Sequence, residues 1–198
     1  MRDKQLFLLR HCVTSDTELG INGSQTDTPL SKQGFREAKK LTPKLLKNEY
    51  DLIVVSPLCR TLQTVKPYLD TLKSVPPILT EQLTIERNLG LLTNSRVGDG
   101  KVSAHFEESG ASRVAWIPPE GESIEMLFVR AQKFMKQLEQ RQERSILICG
   151  HQIFLRCIEL LLLNLPLHDD TFYAKNPPKL EPGEMRSYTM KNSGNESI

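Results

Sequence analysis

Four short segments of the chain place histidine, arginine or carboxylate side chains just past apolar runs. They are LLRHC (8–12), SPLCR (56–60), LTIERNLG (83–90) and CGHQ (149–152). These side chains match the needs of phosphoryl transfer, which are an imidazole nucleophile, fixed positive charge for the phosphoryl oxygens and a proton donor for the leaving oxygen. The segments therefore predict a site for phosphoryl-transfer chemistry, provided that the fold brings them together.

Apolar runs that alternate with amphipathic segments must position these side chains. The runs favour strands, with continuous β-branched and apolar residues, and the amphipathic segments favour helices. Ser31 and Ser123 can each cap the start of a helix, and Pro43 is expected to kink or shorten the first of these two helices. The predicted strands are QLFLL (5–9), DLIVVS (51–56), PILTEQL (77–83), SILICG (145–150) and GEMRSYTM (183–190), and the main helices start near 31, 58, 123 and 152, the third running to Arg144.

Strands that alternate with helices predict an α/β fold, a three-layer α/β/α sandwich around a mostly parallel central sheet. In such sheets the binding sites form at the carboxyl ends of the strands, where His11 and His151 stand. We expect one domain over residues 1–190, in which the irregular region 74–120 is an insertion that covers the active site. Residues 191–198 are expected to form a flexible tail.

Composition restricts the partners. The 198 residues carry 26 basic and 24 acidic side chains, a formal charge of +2, so no charge bias favours nucleic acid or a membrane surface. The apolar run CIELLLLNL (157–165) is too short for a bilayer and is expected to be a buried helix. Four cysteines without CxxC spacing and the lack of a signal peptide indicate reduced thiols in the cytoplasm. Oligomeric state stays open.

A cysteine phosphatase is the main rival chemistry, because Cys12 also follows an apolar strand. That mechanism needs an arginine six residues after the cysteine. The residue there is Glu18, whose carboxylate would repel a phosphate dianion. The sequence also lacks an Asp/His cluster with metal-ligand spacing and a P-loop.

The segments, taken in order, resemble the histidine phosphatase superfamily, which includes the cofactor-dependent phosphoglycerate mutases. LLRHC is similar to the RHG signature of that family, and the resemblance spans about Leu6 to Arg156. The other matching segments are TPLSKQGFREAKKL (28–41), SPLCRTLQT (56–64), PPEGESIEMLFVRA (118–131) and ILICGHQIFLR (146–156).

The resemblance implies a role for each matching residue. His11 would be the nucleophile that becomes phosphorylated, and Arg10, Arg60 and His151 would hold the phosphoryl group. Glu86 matches the proton donor, because a glycine follows it four residues later. An imidazole attacks best when neutral, so we expect His11 Nδ1 to bind an acceptor while Nε2 faces phosphorus.

The chain departs from the family pattern at Cys12, which replaces the glycine of RHG. We expect its side chain close to the phosphoryl group, where it would reshape the site or be open to oxidation. Thr17 replaces an asparagine that the family often carries, so a phosphate contact could pass to Thr17, Asn22 or Gln25, and we favour Gln25.

A second departure affects the segment around Glu86. The family often closes this segment with Glu-Gly or Gln-Gly, and Thr93-Asn94 stands there in this chain. Glu81 is therefore the fallback acid. Arg87 either reaches the substrate or pairs with a neighbour.

By resemblance, the chain is expected to be a metal-independent phosphohydrolase of the histidine acid phosphatase type that acts on a small phosphorylated substrate. No metal or organic cofactor is implied. One alternative is a mutase that returns the phosphoryl group to its substrate, although mutases of the family usually carry longer chains and a closing tail. The other is a weakly active member that binds phosphorylated ligands.

Overall fold

Five strands form one sheet in the computed structural model, which describes residues 3–175 and 178–191. The strands are β1 (Lys4–Arg10), β2 (Leu52–Val55), β3 (Ile78–Thr80), β4 (Ser145–Gly150) and β5 (Met185–Met190). Their order is β3-β2-β4-β1-β5, and only β5, at the edge beside β1, runs antiparallel. The predicted mostly parallel sheet is confirmed. The predicted tail lies outside the described residues, apart from its first residue.

Within the part of the chain that the structure describes, seven α-helices connect and cover the strands. Ser31 and Ser123 cap two of them, each side chain accepting from the amide three residues further on. The helices are α1 (Ser15–Glu18), α2 (Lys32–Leu45), α3 (Cys59–Leu69), α4 (Lys101–Ser109), α5 (Ile124–Gln140), α6 (Gln152–Leu162) and α7 (Asp169–Phe172), with short 3-10 turns at Gln82–Thr84 and Gly90–Leu92.

The three inner strands, β1, β2 and β4, are largely buried on both faces, because alternate residues contribute to two separate cores. Leu6 and Leu8 of β1 pack with α5 and α6, whereas Phe7 and Leu9 pack with α2 and α3. The three-layer α/β/α sandwich is therefore confirmed. The apolar run predicted to be a buried helix lies largely within α6, and across the described part of the chain no helix combines the length and the apolar character needed to cross a membrane.

Three local predictions need correction. Helix α2 continues through Pro43 to Leu45, because a proline in the last turn removes only one amide donor. Helix α5 ends at Gln140 rather than Arg144, since Arg141 adopts an extended conformation. The region 74–120 contains α4, and the glycines that suggested irregular structure, Gly100 and Gly110, lie at its two ends with φ of 80° and 63°.

Candidate active site

A cleft of about 360 Å³ opens beyond the carboxyl ends of β1 and β4. These strands are parallel neighbours with Arg10 opposite Gly150, so His11 and His151 leave the sheet side by side. Their ring centroids are 5.1 Å apart. The register of two adjacent strands thus brings together two histidines that are far apart in the sequence.

His11 is oriented and kept neutral by its surroundings. Its Nδ1 lies 2.8 Å from the carbonyl oxygen of Cys12, which can only accept, so Nδ1 carries the proton and Nε2 has a free lone pair. Burial and then the charge of Arg60 and Arg10 lower the pKa of His11 to about 3, against the opposing effect of the Cys12 hydrogen bond. This is the orientation expected of a nucleophilic imidazole.

His151 is fully buried at the start of α6, where it is the N-cap residue. Its Nε2 lies 2.8 Å from Oγ of Ser56, and Nδ1 has no hydrogen-bond partner among the described residues. Burial, followed by the neighbouring His11 and Arg60, holds the pKa of His151 well below its usual value. His151 is therefore a second neutral imidazole with one uncommitted nitrogen.

Two arginines add fixed positive charge to the cleft. Arg60, in the first turn of α3, is 4% exposed and donates to the carbonyl oxygens of Thr26 at 2.6 Å and Ser24 at 2.9 Å. Arg10 donates from Nη1 to the carbonyl of Leu180, while its buried Nε has no partner in the described ranges. Arg10 is thus the better placed of the two to bind an anion with a free donor.

Glu86 links the insertion to the start of α6. Its Oε1 accepts from the amides of Arg87 at 2.9 Å and Phe154 at 3.2 Å, and its Oε2 accepts from the amide of Ile153 at 3.2 Å. The carboxyl group lines the same cleft as His11. Glu81, the fallback acid, is not among the lining residues, and its carboxylate accepts from the nearby amide of Leu83.

Residues 6–176 match the family model of the histidine phosphatase superfamily, branch 1. The chain belongs to this superfamily. An adenosylcobalamin/alpha-ribazole phosphatase of Salmonella typhimurium is 26% identical over 173 residues, which cover 82% of this chain and 81% of the relative.

Solved structures show the same fold. The alpha-ribazole phosphatase of Shigella flexneri superposes with a TM-score of 0.80 at 21% identity over 96% of each chain. A mycobacterial glucosyl-3-phosphoglycerate phosphatase gives a TM-score of 0.78 at 20% identity, over 98% of this chain and all of that one. The resemblance predicted from the motifs is confirmed.

The cysteine at the third position of the histidine phosphatase signature points away from the cleft. Cys12 is fully buried with Leu30 and Ala38, and its Sγ lies beside Gly183. Burial raises the pKa of the thiol to about 12. The expectation that Cys12 reshapes the phosphoryl site or is open to oxidation is therefore wrong, because the side chain fills a core on the other side of the backbone.

The three candidates for a displaced phosphate contact differ in position. Thr17 and Asn22 line the cleft, and Nδ2 of Asn22 donates to the hydroxyl of Ser95 at 3.0 Å. Gln25 is not among the lining residues, and its Nε2 donates to the carbonyl of Glu86 at 2.8 Å. The structure thus places Gln25 against the backbone of the acid rather than in the cleft wall.

Arg87 lines the cleft of this histidine phosphatase, but most of its hydrogen-bond donors are bound to neighbouring backbone carbonyls. Its Nε donates to the carbonyl of Glu122 at 2.9 Å, and Nη2 donates to the carbonyl of Trp116 at 3.0 Å. The guanidinium also lies over the Trp116 ring, 5.4 Å from its centroid. Pairing with neighbours therefore accounts for most of its donors.

Sequence reasoning missed an ion pair that holds the acid segment. Arg130 donates to the carbonyls of Leu83 and Ile85, both at 2.6 Å, and forms a salt bridge of 2.7 Å with Glu122. The sequence did hold a sign of this pair, because both charged residues lie in segment 118–131, which resembles the family pattern. Glu122 is easily interpreted there as a helix-capping residue. The pair fixes the backbone on the amino-terminal side of Glu86.

A second missed residue is Ser56, the first residue of the SPLCR segment, which contacts His151. Over residues 3–175 and 178–191, no group of three or more His, Cys, Asp or Glu side chains is arranged to hold a metal ion.

Proposed function

We propose that this histidine phosphatase hydrolyses phosphomonoesters in two steps through a phosphohistidine on His11. The observation that carries the proposal is the state of His11, whose Nδ1 is bound to the Cys12 carbonyl while the neutral ring leaves Nε2 free beside Arg10 and Arg60. A neutral, oriented imidazole beside fixed positive charge is suited to attack a phosphate ester.

In the first step, Nε2 of His11 forms a bond to phosphorus as the bond from phosphorus to the ester oxygen breaks. Glu86 gives its proton to the departing oxygen, which leaves as an alcohol. Arg10, through its free Nε, and Arg60 balance the charge on the three equatorial oxygens. His151 assists when Ser56 donates to its Nε2, because Nδ1–H then becomes a donor to a phosphoryl oxygen.

In the second step, the carboxylate of Glu86 takes a proton from water as the water oxygen bonds to phosphorus. The bond between phosphorus and Nε2 breaks, phosphate leaves and His11 returns to its neutral form. Gln25 and Thr17 act around this centre, with Gln25 holding the backbone of Glu86 and Thr17 facing the bound ester. We assign Arg87 to the cleft wall, where it supports the insertion through Trp116.

The proposed reaction is of the histidine acid phosphatase type and needs no metal ion. Arg10 and Arg60 supply the positive charge that a metal would supply in a metallophosphatase. The low pKa of His11, about 3, keeps the nucleophile unprotonated in mildly acidic solution. Turnover is expected to be unchanged after treatment with EDTA, and loss of activity that Mg²⁺ or Zn²⁺ restores would refute this part.

We further propose that residues 1–190 form one domain and that the insertion 74–120 covers the site. This proposal is supported by Leu89, Val97 and Val102 of the insertion, which line the cleft. A cytoplasmic location is proposed from the four free cysteines, since oxidising compartments favour disulfides.

Covalent labelling tests the nucleophile. A substrate with a radiolabelled phosphoryl group should give an acid-labile, base-stable label on His11 after rapid quenching. His11→Asn should abolish the label, His151→Asn should slow its appearance without moving it, and Cys12→Ala should keep it. Label on Cys12, or equal turnover of p-nitrophenyl phosphate by the wild type and His11→Asn, would refute the proposal.

The leaving group tests the acid. Glu86→Gln should lower kcat for an alkyl phosphate by about a thousandfold and for p-nitrophenyl phosphate far less, because nitrophenolate leaves without a proton. Glu81→Gln is the matched control and should behave like the wild type with both esters. Equal losses with both esters in Glu86→Gln would assign the acid to another residue.

Product analysis separates hydrolysis from phosphoryl transfer between substrate positions. A phosphatase releases one equivalent of free phosphate for each ester consumed, whereas a mutase yields an isomeric phosphate ester with little free phosphate. We expect stoichiometric release, and accumulation of an isomer would favour the mutase.

A further inference from the structure

The charged side chains of the cleft are matched to a single phosphoryl group. Its lining contains three guanidinium groups and two carboxylates, from Arg10, Arg60, Arg87, Asp16 and Glu86. With Glu86 protonated, as the proposed first step requires, one phosphoryl dianion offsets the excess positive charge of this set, and no cationic side chain among the lining residues is left for a second anionic group.

Two of the three guanidinium groups have donors committed to the protein. Arg60 donates from both Nη atoms to backbone carbonyls, and Arg87 donates from Nε and Nη2 to backbone carbonyls while it stacks on Trp116. Neither arginine can turn outward to a distant carboxylate or phosphate without breaking these contacts. The fixed positive charge thus stays near His11.

The rest of the wall contains the polar side chains of Thr14, Thr17, Asn22, Ser24 and Gln152 and an apolar surface. The side chains that supply this surface are those of Ile21, Leu89, Val97, Val102 and Ile153. Only Val97 is strongly exposed, at 69%, and the other four are half-buried, so the cleft offers an apolar surface that a ligand can cover.

This surface is held in place by backbone pairing between the insertion and the loop after β1. The amide of Val97 donates to the carbonyl of Gly20 at 2.7 Å, and the amide of Asn22 donates to the carbonyl of Ser95 at 2.9 Å. Ile21 forms a β-bridge with Arg96. The apolar wall is therefore built from two segments that are tied together, rather than from a single loose loop.

Asp16 adds a negative charge to the same cleft. Its Oδ2 accepts a hydrogen bond from the hydroxyl of Thr26 at 3.4 Å, and a Cβ at Gly23 would lie only 2.6 Å from this oxygen. The absence of a side chain at Gly23 leaves the carboxylate room in the loop. A second anion on the substrate would meet this charge as repulsion.

We propose that the substrates of this enzyme are phosphomonoesters whose only anionic group is the transferred phosphoryl group and whose leaving alcohol is uncharged with an apolar surface. The inference rests on the proposed function, since it assigns the inner end of the cleft to phosphoryl transfer. Val97, Val102 and Asp16 are the specificity-determining residues, because they set the polarity and charge of the wall that the leaving group meets.

A pair of esters of equal length tests the charge preference. Hexyl phosphate and its analogue with a terminal carboxylate have leaving alcohols of similar acidity, so their ratio of kcat/KM reports binding of the distal group. We expect the wild type to prefer hexyl phosphate by at least about tenfold. The value of kcat/KM should also rise several-fold from ethyl to hexyl phosphate as apolar surface is covered.

Substitutions in the cleft wall test which residues cause the preference for hexyl phosphate over its carboxylate analogue. Val102→Lys should shift the ratio at least about tenfold toward the carboxylate ester, and Asp16→Asn should shift it in the same direction by less. Ile117→Lys is the matched control, because it adds the same charge to an exposed residue of the insertion that does not line the cleft, and it should leave the ratio unchanged within about twofold.

The outcomes distinguish the two proposals. The inference would be overturned if His11-dependent phosphate release favoured the carboxylate ester. It would also be overturned if Val102→Lys did not change the ratio of kcat/KM for the two esters. In both cases the proposed phosphatase activity would still stand. If neither ester releases phosphate in a reaction that depends on His11, both the proposed function and this inference are refuted.

Discussion

The hydroxyl oxygen of Ser56 lies 2.8 Å from Nε2 of His151, and this contact joins the ends of β2 and β4. Ser56 Oγ also accepts from the amide of Leu58 at 3.3 Å, so its own proton is available for the imidazole. Because His151 is fully buried and its Nδ1 has no hydrogen-bond partner among the described residues, this contact orients the ring. Ser56 is therefore a positioning residue for His151.

Replacement of Ser56 by alanine should slow formation of the phosphoenzyme by about tenfold, the cost of one well-placed hydrogen bond. Without the hydroxyl, His151 loses the contact that orients its ring, and Nδ1 is no longer held toward the phosphoryl group. Rapid-quench measurement of covalent label should show the lower rate, with KM changed by less than about twofold.

The conservative variant Ser56→Thr is the control and should restore most of the rate, since it keeps the hydroxyl. A purely structural role for Ser56 would instead lower stability in both variants and leave the rate per folded molecule intact. Equal rates of labelling in the wild type and Ser56→Ala would contradict the assignment.

The ion pair of Arg130 with Glu122 should affect catalysis through Glu86. Arg130→Met removes the donors to Leu83 and Ile85 and leaves the half-buried Glu122 unpaired, so kcat for an alkyl phosphate is expected to fall about tenfold to a hundredfold. The fall should be much smaller for p-nitrophenyl phosphate, because that leaving group does not need the acid.

A double-mutant cycle tests the coupling between the two side chains. Arg130→Met combined with Glu122→Gln should cost less than the sum of the single changes. Glu143→Gln is the matched control, since Glu143 forms a similar 2.6 Å pair with Arg141, far from the cleft, and it should leave both rates unchanged. Additive effects of Arg130→Met and Glu122→Gln would show that they act independently.

Much of the fold was predictable because β2 and β4 contain continuous apolar runs, LIVV and ILIC, whose side chains alternate between two cores. The location of His11 and His151 at the carboxyl ends of strands was predictable, because each histidine directly follows a predicted strand, whereas their adjacency depends on the pairing of β1 with β4. Helix α4 was not predictable from periodicity, because none of its residues is buried and it therefore shows no apolar stripe facing a core.

The remaining features depend on contacts between distant segments. The direction of Cys12 depends on a packing site that includes Gly183, and Arg130 binds backbone carbonyls that any sequence would provide. Neither contact produces a periodic pattern or a motif in the sequence. Gln25 was assigned to phosphate for a related reason, since its proximity to the site was predictable but its partner, the Glu86 carbonyl, was not.

Cys12 should be inert in the native protein despite its position beside the nucleophile. Its thiol is fully buried and its pKa is raised to about 12, so iodoacetamide is expected to leave it unmodified and hydrogen peroxide to leave turnover intact. All four thiols should react in urea, which is the control. Inactivation by peroxide that Cys12→Ala prevents would show that the thiol reaches the cleft.

The two neutral histidines should make the stability of the protein depend on pH in a defined direction. The pKa of His11 is about 3 in the folded protein and about 6.5 in an unfolded chain, so between these values the unfolded state binds more protons. The free energy of unfolding should therefore be constant with respect to His11 above pH 6.5 and fall by about 1.4 kcal/mol per pH unit below it, until about pH 3. His151, whose pKa is also lowered, adds to the same trend.

Urea denaturation at several pH values between 7 and 4 measures this slope, and His11→Asn isolates the part that belongs to His11. The variant keeps a polar side chain but cannot titrate at this position. The slope of its free energy of unfolding with pH should therefore be smaller than that of the wild type by about the amount that one proton contributes. His105→Asn is the matched control, because it removes an imidazole from the exposed helix α4 and leaves the buried pair of histidines in place. Parallel curves for the wild type and His11→Asn would mean that His11 has the same pKa in the folded and unfolded states, which would contradict the effect of its burial beside Arg60 and Arg10.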